Sequence, residues 1–451
     1  MKKMICFSAS FVGVFFLITS AWAYQPFLDT GQTKCYDNVK EITCPQPGQP
    51  FYGQDAQYPK IPRSYTKLGY GGAVLADNAL HVDDGGPWIM TRDNITGLIW
   101  EVKREIGLQN TINTYTWYDP NAETNGGHEG FQDGGKCIGS SCDTHSYIQT
   151  LNAQNFGGYS DWRLPKVKEL SSLVDRGLRS PVFDAAWFPK MMSGSYWSSN
   201  TDFLKTLAYN AYVVSSRGQT NKTVKGNFRT AHVRAVRGGN DSAISNFVDN
   251  GDGTVTDTVT GLMWQKETAT QRYIWQHALE YTNYLTLAGY SDWRLPNINE
   301  LQTLIDYSIT DSGTPIFSVF KPHTASAYYW SSTSGSFSRQ AWFVSFSGGT
   351  VAFLSKSSEC HVRAVRTIHE NVFNDLDKAN IIFNWLESEF PEILSPTPQP
   401  TYESNGIYFR YYPGTNVYIG TIQNHLYFYD HLGVLHNLGS VDIWLPFAQG
   451  N

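Results

Sequence analysis

The chain has 451 residues, which is longer than the roughly 100 to 150 residues of a typical single domain and predicts two or three domains. Its formal net charge is −6 at pH 7. This acidic balance excludes general nucleic-acid binding, because a nucleic-acid-binding surface needs clustered basic residues that displace counterions.

The first 23 residues have the pattern of a secretory signal peptide. Lys2 and Lys3 precede an apolar run that ends at Ile18, and Ala21-Trp22-Ala23 then matches a small-x-small cleavage site. An N-terminal membrane anchor is the alternative, but the run is shorter than the roughly 20 residues of a spanning helix, and no later stretch could span a bilayer. We expect residues 1–23 to be removed, which would change the net charge from −6 to −8. The expected location is extracellular, at the cell surface or periplasmic.

The remaining cysteines predict two short disulfides. In an oxidising compartment, cysteines that are close in sequence form bridges. We expect Cys35–Cys44 within an extended segment over residues 24–75, and Cys137–Cys142 further along the chain. Cys360 is left over, and a free thiol there could support a covalent dimer. A zinc site is the weaker alternative because no C-x-x-C pair occurs, and we expect neither a metal nor a cofactor.

A long internal repeat occupies the middle of the chain. YSDWRLPKVKELSSLVD at residues 159–175 recurs as YSDWRLPNINELQTLID at residues 290–306. Three shorter motifs recur in the same order: TGLIW at 96–100 and TGLMW at 260–264, YWSS at 196–199 and 329–332, and HVRAVR at 232–237 and 361–366. The spacing is too long for a solenoid, whose units run about 20 to 50 residues. We predict two duplicated domains, a first copy over residues 76–240 and a second copy over residues 245–368.

Each copy is predicted to contain two helices followed by an antiparallel sheet. Apolar residues recur with helical spacing after Pro165 and after Pro296, and an earlier apolar stripe in each copy predicts a preceding helix. Asn297 and Glu300 in the second copy are spaced as in a capping box, whereas the first copy has Lys166 in place of Asn297. Short β-like runs follow, so the expected fold class is α+β.

The two copies differ most between Trp117 and Trp162, where the first copy carries an insertion. The inserted residues are rich in Gly, Asn and Asp, and we expect a long surface loop closed by the Cys137–Cys142 bridge. Aromatic side chains near this loop could stack on sugar rings, and the candidate ligand-binding residues are Tyr118, His128 and Phe131. The alternative is that these side chains only hold the loop in place.

The repeated tryptophans and arginines are interpreted as scaffold rather than as catalytic residues. They are Trp162, Arg163, Trp197 and Arg234 in the first copy, and Trp293, Arg294, Trp330 and Arg363 in the second. We expect one arginine of each V-R-A-V-R run to be partly buried and paired with a carboxylate, from Asp161 or Glu169 and from Asp292 or Glu300. The alternative is that His232 and His361, beside these arginines, form a general base or an anion site.

A possible calcium loop at residues 249–254 does not fit the required pattern. Starting the loop at Asp249 or at Asn250 places the wrong residue types at the ligand positions or at the obligatory glycine. Because Asn-Gly and Asp-Gly are strong turn signals, we predict a β-hairpin there.

The ordered motifs T-G-L-x-W, W-R-L-P-x-x-x-E-L, Y-W-S-S and V-R-A-V-R resemble the Lcl C-terminal domain family of exported bacterial proteins. The resemblance covers residues of about 76–237 and 245–367. It implies a fold similar to C-type lectin-like domains and to formylglycine-generating enzymes. The family's namesake is a collagen-like adhesin whose C-terminal domain is associated with glycosaminoglycan binding and trimer formation. This chain lacks a Gly-X-Y stalk and the lectin motifs Glu-Pro-Asn and Trp-Asn-Asp, so any sugar binding is expected to be calcium-independent.

Residues 373–451 are predicted to form a separate, small β-rich module. Residues 379–390 have the pattern of an amphipathic helix that Pro391 ends. Two aromatic-rich stretches with Pro-Gly and His-Leu-Gly turns then predict β-hairpins.

Three functions are consistent with these patterns. The favoured one is an exported, adhesin-like binding protein that recognises a polysaccharide, a glycosaminoglycan-like chain or another cell-surface ligand through its loops. The first alternative is a structural or assembly protein that binds another envelope protein. The second is an enzyme acting on envelope material, which the sequence disfavours because it has no G-x-S-x-G, H-E-x-x-H, Walker or dinucleotide-binding motif.

Overall fold

A computed structural model describes residues 29–58, 62–202, 209–226, 228–238, 245–308, 314–335, 338–368, 376–389, 394, 401–404, 407–412, 415, 417–422, 425–429 and 435–440. The predicted signal peptide lies outside these residues. The chain divides into two compact units, one spanning Pro26–Thr367 and one formed by Met1–Gln25 with Ile368–Asn451. No helix within the described residues is both long and apolar enough to span a bilayer.

The larger unit begins with a short ribbon and continues with the first copy. The ribbon consists of β1 (Cys35–Tyr36) and β2 (Glu41–Ile42). The first copy contains β3 (Tyr65–Leu68), β4 (Met90–Asp93), β5 (Ile99–Glu101), α1 (Thr144–Ala153), α2 (Val167–Ser172), β6 (Ser195–Thr201), β7 (Asn210–Ser215), β8 (Thr220–Val224) and β9 (Val236–Arg237). Single 3₁₀ turns lie at Asp55–Gln57, Tyr70–Gly72, Val82–Asp84 and Phe156–Gly158.

The second copy repeats this order of elements. It contains β10 (Phe247–Asp249), β11 (Thr254–Asp257), β12 (Leu262–Gln265), α3 (Trp275–Asn283), α4 (Ile298–Thr303), β13 (Tyr328–Ser334), β14 (Gln340–Ser345), β15 (Thr350–Ser355) and β16 (Val365–Thr367), with a 3₁₀ segment at Ser318–His323. β10 and β11 form the hairpin expected around residues 249–254, with Asp249 opposite Val255. The expected fold class was α+β, and the structure is mostly β with few helices. The two tandem copies agree with the duplication that the repeat predicted. The sheets do not by themselves identify a C-type lectin-like fold, and that similarity stays a prediction.

Each copy has a four-stranded antiparallel sheet that its last strand completes. The strand orders are β3-β4-β5-β9 and β10-β11-β12-β16. The V-R-A-V-R run therefore returns to pair with the T-G-L-x-W run, because Trp100 lies opposite Val236 and Trp264 lies opposite Val365. β3 lies before residue 76, so the first copy's sheet begins earlier in the chain than the expected boundary.

The remaining strands of both copies join into one sheet of six strands. Its order is β13-β14-β15-β8-β7-β6, and the only described pairing between the copies joins Thr220 of β8 to Val351 of β15. These two residues are equivalent, since Thr220 lies opposite Val214 and Val351 lies opposite Val344 in their own copies. A residue that pairs with its own counterpart indicates a local two-fold relation, like the isologous contact of a homodimer.

Side chains at this junction follow the same two-fold relation. The Arg176 guanidinium lies 4.0 Å from the ring centre of Trp342, and the equivalent Tyr307 packs edge-on against Tyr212 with ring centres 4.9 Å apart. Within their own copies, Arg176 Nη1 donates to a main-chain carbonyl at residue 218 (2.6 Å) and the Tyr307 hydroxyl donates to the carbonyl of Gly349 (3.0 Å). The two copies therefore share one apolar core across the joined sheet.

The helix after each Trp-Arg-Leu-Pro run begins differently in the two copies. At α4, Asn297 Oδ1 accepts from the Glu300 N–H (2.9 Å) and the Glu300 carboxylate accepts from the Asn297 N–H (2.8 Å), which confirms the capping box. At α2, the Lys166 N–H donates to Glu169 (2.7 Å), so only the carboxylate half of the box is formed. The lysine side chain cannot accept a hydrogen bond from the helix.

Substitutions of the two cap residues should change the free energy of unfolding in opposite directions. We expect Asn297→Ala to lower the free energy of unfolding by about 1 kcal/mol, and Lys166→Asn to raise it by up to about 1 kcal/mol, because an asparagine cap satisfies an otherwise unpaired helix N–H. Urea unfolding of both variants beside the unmodified chain measures the two shifts. If all three proteins have the same free energy of unfolding, the cap residues do not contribute measurably to stability.

The smaller unit is a helix packed on one face of a five-stranded sheet. Its elements are α5 (Leu376–Glu389), β17 (Tyr402–Ser404), β18 (Ile407–Tyr412), β19 (Val417–Ile422), β20 (His425–Tyr429) and β21 (Leu435–Ser440), and the strands are antiparallel in chain order. Ile382, Phe383 and Leu386 of the helix are buried in one cluster with residues of β18, β19 and β20. The helix begins earlier than the expected residue 379.

Candidate ligand-binding surface

The insertion of the first copy is an ordered loop, here called the insertion loop (residues 119–143). Its disulfide joins Cys137 and Cys142 with Cα atoms 5.4 Å apart, and Cys35–Cys44 forms likewise in the N-terminal part, so both predicted bridges are confirmed. Main-chain hydrogen bonds tie the loop to the strand-like run before it, from Phe131 N to Trp117 O (3.0 Å) and from Lys136 N to Thr114 O (2.8 Å).

A buried lysine supports the insertion loop from beneath. Lys225 is 1 % exposed, and its ammonium donates to the carbonyls of Asn125 (2.6 Å) and His128 (3.1 Å). The same ammonium lies 4.1 Å from the ring centre of Trp117. Burial lowers the pKa of Lys225 to about 8. The loop carbonyls thus replace the water that this charge would otherwise need.

The second copy has an equivalent lysine that is covered by a different part of the chain. Lys356 is 2 % exposed, lies 4.0 Å from the ring centre of Trp275, and donates to the carbonyl of Asp37 (2.8 Å). Burial lowers its pKa to about 7. Residues 29–57, here called the N-terminal segment, therefore occupy on the second copy the place that the insertion loop occupies on the first.

Further contacts hold the N-terminal segment on the second copy. The Thr333 hydroxyl donates to the buried Asp55 carboxylate (2.7 Å), and the Phe51 ring packs 6.4 Å from Trp275. The Asn283 side chain donates to the carbonyl of Tyr52 (2.9 Å). Sequence reasoning did not find this contact, because no local pattern marks a segment that pairs with residues nearly 300 positions away.

The three predicted ligand-binding residues lie on or beside the insertion loop. Phe131 is 40 % exposed, whereas Tyr118 and His128 are half-buried. The His128 ring packs edge-on against Tyr209 with centres 4.7 Å apart, and Tyr118 packs edge-on against His145 at 6.0 Å. Tyr209, which is 57 % exposed, was not predicted because it reaches the loop from the start of β7.

Three exposed isoleucines lie beside the same loop. Ile106, Ile112 and Ile138 are 59 %, 61 % and 58 % exposed. The Asn113 side-chain amide brings their segments together, because it donates to main-chain carbonyls at residue 107 (3.3 Å) and at Ile138 (3.5 Å). Of the three, Ile138 lies in the insertion between Trp117 and Trp162 by which the first copy differs most from the second.

The repeated arginines fall into two groups with different partners. Arg163 and Arg294 form two-pronged ion pairs with Glu169 and Glu300 at N to O distances of 2.6 to 2.8 Å. The last arginine of each V-R-A-V-R run pairs with an aspartate, Arg237 with Asp161 (2.7 Å) and Arg366 with Asp292 (2.7 Å). Each of the four carboxylates named as a possible partner therefore pairs with an arginine.

Arg237 and Arg366 therefore confirm the expected carboxylate pairs, and the other arginine of each V-R-A-V-R run is fully buried and makes different contacts. Arg234 and Arg363 are both 0 % exposed, and they donate to the main-chain carbonyls of Glu101 (2.7 Å) and His323 (3.0 Å) instead of to aspartate or glutamate side chains. Burial lowers the pKa of Arg363 to about 10. Carbonyl oxygens can accept from a buried guanidinium without a second buried charge, and among the described residues the Arg234 Nε and the Arg363 Nε and Nη1 have no hydrogen-bond partner.

The two repeated histidines are held within the scaffold. His232 is buried, its Nδ1 lies 2.9 Å from the carbonyl of Asn113, and its ring lies 5.3 Å from Tyr196. His361 stacks on Tyr329 at the same centre distance of 5.3 Å. Burial lowers the pKa of both imidazoles, which favours their neutral form. Within the described residues, no group of three or more His, Cys, Asp or Glu side chains is arranged to hold a metal ion.

The repeated tryptophans lie in the interior. Their side chains are at most 2 % exposed, and they are Trp162, Trp197, Trp293 and Trp330. Trp197 and Trp330 donate their indole N–H groups to the carbonyls of Tyr115 (2.7 Å) and Tyr273 (2.9 Å). They therefore position the run that precedes the insertion loop and its counterpart in the second copy.

Cys360 is a buried free cysteine, which disfavours the covalent dimer that a free thiol there could have supported. It is 1 % exposed, and burial raises the pKa of the thiol to about 12. A thiol that is neither exposed nor ionised reacts poorly with other thiols. In a Cys6→Ser chain, we expect no reaction of Cys360 with a thiol reagent in the native state and one equivalent after unfolding in urea. Rapid native labelling, or a disulfide dimer on a non-reducing gel, would contradict this.

The Lcl C-terminal domain family matches residues 89–237 and 253–366, which together are more than half of the chain. The chain belongs to this family. The two matched ranges correspond to the two copies joined through β8 and β15, so the protein carries tandem Lcl C-terminal domains. No curated protein matches the chain.

Proposed function

We propose that the protein is an exported, adhesin-like binding protein that recognises a polysaccharide through the insertion loop of its first Lcl C-terminal domain. The observation that carries this proposal is the aromatic surface of that loop, where Phe131 and Tyr209 are exposed and His128 packs on Tyr209. Aromatic faces stack on the apolar faces of sugar rings, and their polar edges remain free for hydrogen bonds. The two disulfides support export, because such bridges persist in oxidising compartments.

The rigidity of the insertion loop supports a role in ligand binding in addition to its role of covering Lys225. The disulfide, the strand-like hydrogen bonds and Lys225 fix the loop backbone before any ligand arrives. A pre-organised surface loses less conformational entropy on binding. In the second copy, the equivalent place is taken by the N-terminal segment, so the two domains present different surfaces for recognition.

A glycan array compares the intact chain with a His128→Ala/Tyr209→Ala double variant. We expect the intact chain to bind at least one polysaccharide and the double variant to lose at least tenfold in affinity, because one stacking platform is removed. Tyr284→Ala is the matched control, since Tyr284 is 76 % exposed and lies on α3's C-terminal end, away from the loop. Absence of binding by the intact chain, or full binding by a folded double variant, would refute the proposal.

A second candidate function is assembly with another envelope protein, and the exposed isoleucines favour it. Groups of exposed apolar side chains on a folded protein are typical of surfaces that contact other proteins. An Ile112→Asp/Ile138→Asp variant should then lose its crosslinks to envelope proteins in cells while keeping its glycan-array profile. Unchanged crosslinks would remove the support that this surface provides.

A further inference from the structure

A cleft lies where the N-terminal segment meets both copies, and it is called the junction cleft here. Its volume is about 620 Å³, within the range of ligand-binding clefts. Three parts of the chain line it: the N-terminal segment, the loop after α2 in the first copy, and the start of β14 with the turn before it in the second. Its functional side chains are Lys34, Tyr36, Glu41, Arg179, Ser338 and Arg339.

Hydrogen bonds between the three parts fix the walls of the junction cleft. The main-chain N–H of Arg176, beside the first-copy wall, donates to the carbonyl of Thr30 in the N-terminal segment (2.6 Å). The Ser338 hydroxyl of the second copy donates to the carbonyl of Val39. The walls are therefore in place before a ligand arrives, which lowers the entropy cost of binding.

The junction cleft is positively charged although the whole chain is acidic. Lys34, Arg179 and Arg339 are exposed, and Glu41 is the one carboxylate among the lining residues, 2.8 Å from the Lys34 ammonium. Burial raises the pKa of the Tyr36 phenol, and the positive charges of Lys34 and Arg179 counter part of that increase. The cations therefore act on the same place, and they give a local charge opposite in sign to the net charge of −6.

Two exposed apolar side chains lie beside these cations. Val39 is 63 % exposed, and its carbonyl is held by Ser338 of the cleft wall. Leu178 is 40 % exposed and directly precedes Arg179 in the chain. Surfaces that combine arginine with exposed apolar side chains are typical of protein contacts.

We propose that the junction cleft binds an acidic segment of a partner protein that also carries apolar side chains. Guanidinium groups hold carboxylates through paired, charge-assisted hydrogen bonds, so Arg179 and Arg339 suit Asp or Glu of the ligand. Glu41 disfavours a uniformly anionic chain such as a sulfated polysaccharide, because a negative charge of that chain would lie against it. A peptide can place a main-chain N–H there instead. The ligand and the residues differ from those of the insertion loop, so the inference goes beyond the function proposed above.

Peptide selection with the intact chain tests this inference. A random peptide library displayed on phage is selected on the intact chain and depleted on an Arg179→Gln/Arg339→Gln variant. We expect the enriched peptides to combine Asp or Glu with apolar residues. In fluorescence anisotropy, the most enriched peptide should bind the double variant at least tenfold more weakly. Arg229→Gln is the matched control, because Arg229 is an exposed arginine outside the cleft and its substitution should leave binding unchanged.

Further measurements separate the acidic from the apolar part of the ligand. The enriched peptide with Gln and Asn in place of Glu and Asp should lose most of its binding, and Leu178→Ser should weaken binding of the original peptide several-fold. Both substituted arginines are exposed, so the double variant should keep the circular dichroism spectrum of the intact chain.

Three results would each overturn the proposal. They are the absence of acidic peptides among those enriched, equal peptide binding by the folded double variant, and tighter binding of dextran sulfate than of the peptide at the same two arginines. Since the glycan array varies residues 128 and 209 and this test varies residues 179 and 339, either proposal can fail alone.

Discussion

Replacing Glu101 by glutamine should lower the free energy of unfolding of the larger unit by about 3 to 5 kcal/mol, because it leaves a buried ammonium without its counter-charge. Glu101 is 0 % exposed and lies 2.7 Å from the Lys103 ammonium, which is itself 3 % exposed. The Tyr147 hydroxyl donates to the other carboxylate oxygen, and Lys103 donates to that hydroxyl (3.0 Å). Burial lowers the pKa of Lys103, so the lysine charge depends on Glu101.

The second copy shows that the same place tolerates a neutral arrangement. Gln265 is equivalent to Glu101, accepts from the Ala364 N–H (3.1 Å), and donates to Tyr281 (2.9 Å). We therefore expect Glu101→Gln/Lys103→Met to recover most of the lost stability, since it removes both charges together. The matched control is Glu41→Gln, which opens the exposed Lys34–Glu41 pair and should not change the unfolding midpoint measurably.

Urea unfolding followed by circular dichroism measures all four proteins. A loss in Glu101→Gln no larger than that in Glu41→Gln would mean that water or a local shift compensates Lys103. Failure of the double variant to recover stability would instead place the loss in the hydrogen bonds of Tyr147 and Ala235 to the carboxylate.

Raising the pH from 7 to 9 should stabilise the larger unit, and Lys356 should account for much of the gain. The folded pKa of Lys356 is lowered from 10.5 to about 7 by burial. Between these two values the unfolded chain binds a proton that the folded chain does not, so the free energy of unfolding rises with pH. One such group contributes at most about 1.4 kcal/mol per pH unit.

The measurement is the free energy of unfolding from urea titrations at pH 7, 8 and 9. Lys225, whose pKa is lowered to about 8, adds to the slope above pH 8. Lys356→Met should remove its own part of the slope. Lys40→Met should leave the slope unchanged, because Lys40 is an exposed lysine of the N-terminal segment that covers Lys356. An unaltered slope in Lys356→Met would show that Lys356 stays protonated in the folded chain. Measurements stop at pH 9 because buried tyrosines with raised pKa values, such as Tyr65, oppose the trend at higher pH.

Several parts of the architecture follow from local patterns. The apolar stripes around Leu170 and Leu301 predicted α2 and α4, because helical spacing places these residues on one buried face. Cys35–Cys44 and Cys137–Cys142 were predictable because cysteines so close in sequence can reach each other in most loop conformations. The repeat itself predicted two domains of the same construction.

Parts of the candidate site depend on residues that are distant in the chain. Tyr209 contacts His128 from the position just before β7, and no pattern in the neighbouring sequence predicts its exposure. The sequence predicted that one arginine of each V-R-A-V-R run meets a carboxylate but did not specify which one: Arg237 and Arg366 do, whereas Arg234 and Arg363 donate to main-chain carbonyls. Which acceptor reaches a buried guanidinium is set by packing around it, and packing is a property of the whole core.

The amino-acid sequence is sufficient for the duplication, the two helices of each copy and both disulfides, because each follows from spacings of a few residues or from a direct repeat, whereas the three strands before the helices of each copy were not all predicted. Two features arise only when the chain is folded. The copies join through Thr220 and Val351, and equivalent buried lysines are covered by the insertion loop on one copy and by the N-terminal segment on the other. Both features bring together segments that are far apart in sequence. Which segment covers which strand edge or buried lysine is decided by the summed contacts of whole segments rather than by local propensity.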